Sequence, residues 1–148
     1  FRIVRNLLAP DGWALNHGIT STDADNGETS HGGGTFIERY VFPHGELPHV
    51  STIMSTLQRG GLEPVDAESL RRHYARTLQC WSERFEAKGE YLKSLVDERT
   101  RRIWRMYLVG CQWAFEHDEI SLFQVLCRRA GQSATSLPRS RNFMYGAA

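Results

Sequence analysis

Apolar and polar positions along the chain recur with periods that mark out its elements. Ile3, Val4, Leu7 and Leu8 fall at helical spacing in "FRIVRNLL", which reads as the end of a helix already under way. "APDG" stops it: Pro10 cannot continue a helical ladder, and Gly12 frees the backbone for a turn. Trp13 to Thr20 then reads as a strand, giving a helix–turn–strand unit of the kind that builds parallel sheets. Residues 21–34, "STDADNGETSHGGG", carry almost no apolar side chains and predict a flexible loop, with His31 inside it.

"TFIERYVFPHGELP" (35–48) concentrates aromatic and branched groups and stops at Pro43 and Gly45. Pro48 is expected in the first turn of a helix carrying Val50, Ile53, Met54 and Leu57 on one face, and Gly60–Gly61 end it. "LEPVDA" predicts a short edge strand, because Pro64 has no N–H to give a central ladder. Leu70, Tyr74, Leu78, Trp81 and Phe85 share one face of a long helix. A second long helix covers about 97–117, with Ile103, Trp104, Tyr107, Leu108, Cys111, Ala114 and Phe115 inward. "ISLFQVLCRR" (120–129) closes as a strand, and the tail 130–148 has no period, although Phe143 and Tyr145 are groups that can dock. This order of elements predicts an α/β fold, and more specifically the second half of an open, doubly wound sheet.

Composition narrows the partners. With 18 Lys and Arg against 17 Asp and Glu, charge gives no reason to expect a nucleic-acid partner. The cations are nearly all Arg and cluster at Arg71/Arg72/Arg76, Arg99/Arg101/Arg102/Arg105 and Arg128/Arg129. Such clusters usually make solvated helix faces, and contact with an anionic lipid surface is the alternative. Cys80, Cys111 and Cys127 cannot all pair and lack metal-ligand spacing, which points to a reducing compartment. His44 and His49 flank "GELP" without a third ligand at useful spacing, so no metal is expected. No signal peptide and no apolar run long enough to span a bilayer occurs in the sequence.

In open sheets, ligands sit beyond the carboxyl ends of strands, where the pattern places His17. Tyr74 lies on the buried face of its helix, and Tyr107, Cys111 and Phe115 form an aromatic and thiol stripe. Each has an ordinary structural reading: a capped histidine, a buried tyrosine with a hydroxyl partner, a core stripe. No phosphate-binding glycine loop or nucleophile elbow is present.

Four blocks, "FIERYVFPHGELP", "SLRRHYARTLQCWSERFEA", "RIWRMYLVGCQWAF" and "ISLFQVLCRR", together resemble the cyclopropane-fatty-acyl-phospholipid synthase family, which includes the mycolic acid cyclopropane synthases. "LLAPDGWALNHGIT" is similar to that family's L-x-P-x-G-x-x-L-x-H-x-I strand, and the likeness runs from about residue 2 to 129. The resemblance implies the C-terminal half of a Rossmann-like, class I S-adenosylmethionine-dependent methyltransferase, over residues 1–129, with 130–148 as a tail. It implies an open twisted sheet, flanking helices and a helical insertion covering an acyl pocket. The family's adenosylmethionine glycine motif and catalytic glutamate would lie upstream of Phe1.

The implied reaction is methyl transfer to the double bond of an unsaturated fatty-acyl chain of a phospholipid, with bound bicarbonate taking a proton to close a cyclopropane. A methyl branch is the alternative outcome. The resemblance makes His17 and Tyr74 catalytic and assigns bicarbonate binding to His17, the Ile19 amide and Tyr74. It places Phe42, Leu78, Tyr107, Cys111 and Phe115 along the acyl slot. It further implies a bacterial, cytoplasmic enzyme, peripheral to an anionic membrane, with a homo-oligomer open. Where relatives have "L-H-T-I", this chain has Asn16 and Gly18 around the histidine, expected to reshape the site. Two other functions stay open: a catalytically silent acyl-binding module, and a methyltransferase for another hydrophobic substrate.

Overall fold

A computed structural model describes residues 1–25, 33–133 and 139–145; His31 and half of the 21–34 loop lie outside them. In chain order the elements are α1 (Arg2–Leu7), β1 (Trp13–Ser21), α2 (Gly33–Tyr40), α3 (Val50–Arg59), β2 (Leu62–Ser69), α4 (Arg71–Ala87), α5 (Gly89–Leu95), α6 (Glu98–Glu116), β3 (Ile120–Arg129) and α7 (Asn142–Tyr145). The fold is α/β, but its strand directions differ from the expected parallel pairing. The sheet order is β1-β3-β2, and both pairings to β3 are antiparallel. The cause lies in the connection: α4 to α6 form a helical hairpin that returns the chain to the end of the sheet where β2 finished. β1 and β2 therefore run in the same direction on either side of β3 without touching each other.

Pro64 sits on the edge strand β2, and the register slips between Pro64 and Asp66, where an unpaired position absorbs the missing donor. α3 starts at Val50, two residues after Pro48, which therefore precedes the cap instead of lying in the first turn. His49 is its cap, its ring accepting from the Ser51 N–H at 3.3 Å. Residues 33–40, whose aromatic and branched content gave no clear period, form the helix α2.

The pleat of β1 divides its side chains between two layers. Ala14, Asn16, Gly18 and Thr20 share a face with Phe123, Val125 and Cys127, which pack on Ile53 and Leu57 of α3 and on Leu8. Trp13, Leu15, His17 and Ile19 share the other face with Leu122, Gln124 and Leu126. At the Ile19 and Leu122 end that face is covered by α4 and α6 through Leu78, Leu108 and Phe115. At its other end α7 lies across it, with Phe143 5.8 Å from Trp13 and Arg141 paired to Asp66 at 2.6 Å. The docking expected of Phe143 is thus present, whereas Tyr145 stays largely exposed.

Two tryptophans assigned inward are not buried. Trp81 and Trp104 are 42% and 43% exposed, and they meet Tyr74 and Tyr107 respectively edge-on. The helix pair is packed through Leu78, Leu108 and Phe115, and polar ties add to that packing. Arg71, opening α4, donates to the Phe115 carbonyl at 2.6 Å and pairs with Asp118 at 3.1 Å, satisfying acceptors at the end of α6. Arg105 of α6 is held by both oxygens of Glu86 in α4.

Candidate active site

His17 lies within β1, with four more strand residues after it, rather than at the strand's carboxyl end. It is exposed, on the strand that ends the sheet in the described residues. Tyr74 approaches from α4, the two ring centroids 6.4 Å apart and edge-on. Behind Tyr74 stand Phe115, 5.1 Å away, and Trp81, 6.2 Å away, so its ring is clamped from two sides. On its β3 side, His17 faces Gln124, whose amide nitrogen is 3.0 Å from Nδ1.

The backbone of Ile19 completes the corner. The Leu70 N–H donates to the Leu122 carbonyl at 2.9 Å, so Leu122 turns its backbone groups toward β2. Ile19, the register partner of Leu122, is then in a non-hydrogen-bonded pair and directs its N–H to the outer edge of β1. Ser21 has the same parity and confirms the direction, donating outward to the Pro48 carbonyl at 3.2 Å. The structure therefore brings together the His17 ring, the Tyr74 ring and an outward-facing Ile19 amide.

Asn16 and Gly18 do not join them. Alternation sends both to the α3 side of the sheet, and a Cβ on Gly18 would meet no atom within 4 Å. The expectation that they reshape the histidine's surroundings is corrected by the pleat.

The remaining candidates form one continuous cluster with Ile19 and Tyr74: Leu78, Tyr107, Cys111 and Phe115 all belong to it. Leu78 and Phe115 are 1% exposed and act as a packed wall, whereas Phe42 is half exposed and meets Tyr107 edge-on at 5.8 Å. Burial pushes the Tyr107 hydroxyl up to about 12, and the neighbouring Cys111 adds to the shift. Burial likewise pushes the Cys111 thiol up to about 11, its hydrogen bond to Tyr107 offsetting part of this. The slot is neutral at physiological pH.

Cys127, in the core beneath β3, is also pushed up to about 11 by burial. From an ordinary value of 9.0, such a shift lowers the thiolate fraction about a hundredfold near pH 8. Native-state alkylation followed by peptide mass spectrometry is expected to label Cys80 first and Cys111 and Cys127 far more slowly. Equal labelling of the three would contradict this packing. The linkage sign is that of acids with raised folded values: their stabilising contribution is complete below pH 9.0 and is lost as pH climbs toward about 11.

The arginine clusters mostly serve the fold. Arg101 and Arg102 pair with Glu98, Arg105 with Glu86, and buried Arg128 with Glu63 at 2.7 Å. Arg99 differs: it lies over the Tyr40 ring at 5.8 Å, with Arg39 over the same ring at 5.3 Å. Tyr40, Arg99, Arg102, Ile103 and Met106 line a groove of about 530 Å³ between α2 and α6, one turn of α6 from Tyr107. Pattern reading missed Tyr40, Arg39 and Gln124. The signal for Gln124 was a long polar side chain amid the apolar residues Leu122, Phe123, Val125 and Leu126 of β3.

Among the described residues, no helix is long and apolar enough to cross a membrane. Nor do three or more His, Cys, Asp or Glu side chains gather there to hold a metal ion.

Residues 1–125 match the family model described as mycolic acid cyclopropane synthetase. A probable fatty acid methyltransferase of Pseudomonas putida is 49% identical over 135 residues, covering 90% of this chain and 34% of that protein. The cyclopropane-fatty-acyl-phospholipid synthase of Escherichia coli K12 is 30% identical over 139 residues, covering 94% and 35%. The crystal structure of mycolic acid cyclopropane synthase CmaA1, complexed with SAH and CTAB, superposes with a TM-score of 0.79 at 27% identity, covering 86% of this chain and 48% of that one. The chain thus spans about a third to a half of the length of these relatives, and its fold is that of the corresponding part of a class I methyltransferase. With more than half of its length matched by the family model, the chain belongs to the mycolic acid cyclopropane synthetase family.

Proposed function

We propose that this chain supplies the acyl-chain and anion side of an S-adenosylmethionine-dependent methyltransferase. Its substrate is the double bond of an unsaturated fatty-acyl chain in a phospholipid, and its product is a cyclopropane or methyl-branched chain. The observation that carries this reading is the convergence of His17, the Ile19 amide and Tyr74 on one corner of a neutral, aromatic slot. The described part of the sequence offers no glycine-rich strand-to-helix turn to cradle adenosylmethionine, so no step is assigned to its contacts.

The corner does fit a small anion such as bicarbonate, because it offers uncharged donors: an imidazole N–H, a phenol O–H and a backbone N–H. Bicarbonate, when bound, supplies a base. An Arg or Lys in the same place would hold the anion in its charged form and weaken it as a base. His17 and Tyr74 orient it, while Phe42 and Tyr107 offer ring faces to positive charge developing on the acyl chain and exclude water from it. The groove at Tyr40 is the headgroup end of this path. Arg39 and Arg99 both lie over the Tyr40 ring, Arg99 also in the field of the Asp97 carboxylate, and they suit the phosphate of an anionic lipid at the cytoplasmic face of a membrane.

The test is mass spectrometry of phospholipid fatty acids from bacterial cells with and without the whole protein. Monounsaturated chains are expected to gain the mass of one CH₂, and an unchanged profile, as a silent acyl-binding module would give, overturns the reading. In the same protein, replacing Arg39 and Arg99 by Ala is expected to weaken binding to anionic vesicles roughly thirtyfold, at about 1 kcal/mol for each cation near the surface. Binding to neutral vesicles should not change, and equal binding of both proteins to anionic vesicles removes the headgroup assignment.

A further inference from the structure

His17 has one polar side-chain partner among the described residues, and that partner decides what the ring can do. Gln124 Nε2 lies 3.0 Å from His17 Nδ1. The two residues are direct register partners, and by the parity set at Ile19 and Leu122 they too form a non-hydrogen-bonded pair. In such pairs the Cα atoms approach to about 4.5 Å and side chains meet closely. β3 is the central strand, held on both sides, so Gln124 projects from the most fixed backbone in the sheet. His17 sits on a strand at the edge of the sheet in the described residues, is exposed, and meets the Tyr74 ring edge-on.

An amide nitrogen can only donate, so the Nδ1 it faces must accept. The ring proton then resides on Nε2, the nitrogen pointing away from β3. We infer that Gln124 is a positioning residue, holding His17 as the neutral Nε2–H tautomer so that the ring offers an anion a donor without a charge. This rests on the bicarbonate reading of the corner for its use, though not for its geometry. The choice of glutamine has a chemical logic. A carboxylate at the same place would pull the proton to Nδ1 and favour the imidazolium, turning the Nε2 side into an acceptor or a cation. The titratable groups facing this pair are Tyr74 from α4 and Glu68, the register partner of Gln124 on β2.

Two variants of the whole protein test this. Gln124→Met keeps length and volume without a donor, and Gln124→Glu reverses the polarity. Ring nitrogen chemical shifts of His17, read by ¹⁵N NMR on histidine-labelled protein at neutral pH, are expected to show Nε2–H in the parent. They should show a mixture of tautomers in Gln124→Met, and Nδ1–H or a doubly protonated ring in Gln124→Glu. The bicarbonate concentration for half-maximal rate is expected to rise about tenfold in Gln124→Met, the worth of one hydrogen bond, with kcat at saturating bicarbonate nearly unchanged. Identical nitrogen shifts in all three proteins overturn the assignment. Shifts that change while bicarbonate dependence does not would uphold the role of Gln124 and remove bicarbonate from the corner.

Discussion

Tyr74→Phe, made in the whole protein, is expected to lower turnover about a hundredfold or more while lipid binding stays within about twofold. The substitution keeps the ring that Phe115 and Trp81 clamp, so α4 stays packed on α6 and the slot retains its shape. What is lost is the phenol O–H of the ring beside His17, the group that the proposed function assigns to the bound anion. His17→Ala is expected to do the same, since the ring is exposed and carries little of the packing. The split between rate and binding is the informative part. In the proposed function an acyl chain is held by area along Phe42, Tyr107 and Cys111, none of which either variant replaces. A group needed only while a proton moves should show itself in kcat, whereas a group needed for occupancy shows itself in binding. Measurement of product formation beside vesicle or acyl-ligand binding decides it, and normal product yield from either variant would sink the assignment.

How far such a site can be read from sequence depends on which distances are local. The strand at 120–129 has the bounds its mostly apolar run indicates, because a central strand covered on both faces needs apolar side chains on each. Pro64 marked the edge for an equally local reason, the missing N–H. Strand direction was not local: it depends on the helical hairpin between β2 and β3 returning the chain to the same end of the sheet. α2 escaped pattern reading because Thr35, Phe36, Ile37, Tyr40, Val41 and Phe42 suit a strand as well as a helix, and packing against α6 decides between them. Asn16 and Gly18 are a different lesson. The period of two in β1 already sends them away from His17, so that correction was available from the sequence once the strand was assigned. The His17–Gln124 contact was not, since it spans 107 positions and exists only through the register of β1 on β3.

Phe115→Ala is expected to cost about 3–5 kcal/mol of stability, the largest loss from a single truncation in the helical layer. Phe115 is 1% exposed and packs with Leu78, Leu108, Ile120 and Leu122, so it joins α6 and α4 to the sheet. Its backbone carbonyl is already fixed by Arg71 at 2.6 Å, which prevents the end of α6 from moving in to fill the space. A site that cannot collapse carries the full cavity cost. Against a total of about 5–15 kcal/mol for an ordinary domain, that loss moves a urea midpoint far and brings Tyr74 loose on the side it leaned against. Phe42→Ala makes the control, because Phe42 is half exposed and reaches the slot only through Tyr107. It should cost under about 1 kcal/mol in stability while shortening the apolar path available to an acyl chain. Urea unfolding of both variants beside the parent tests the contrast. Similar midpoints for Phe115→Ala and the parent would mean that the helical hairpin does not bear on the sheet through this residue, and that Tyr74 owes its position to something other than the ring behind it.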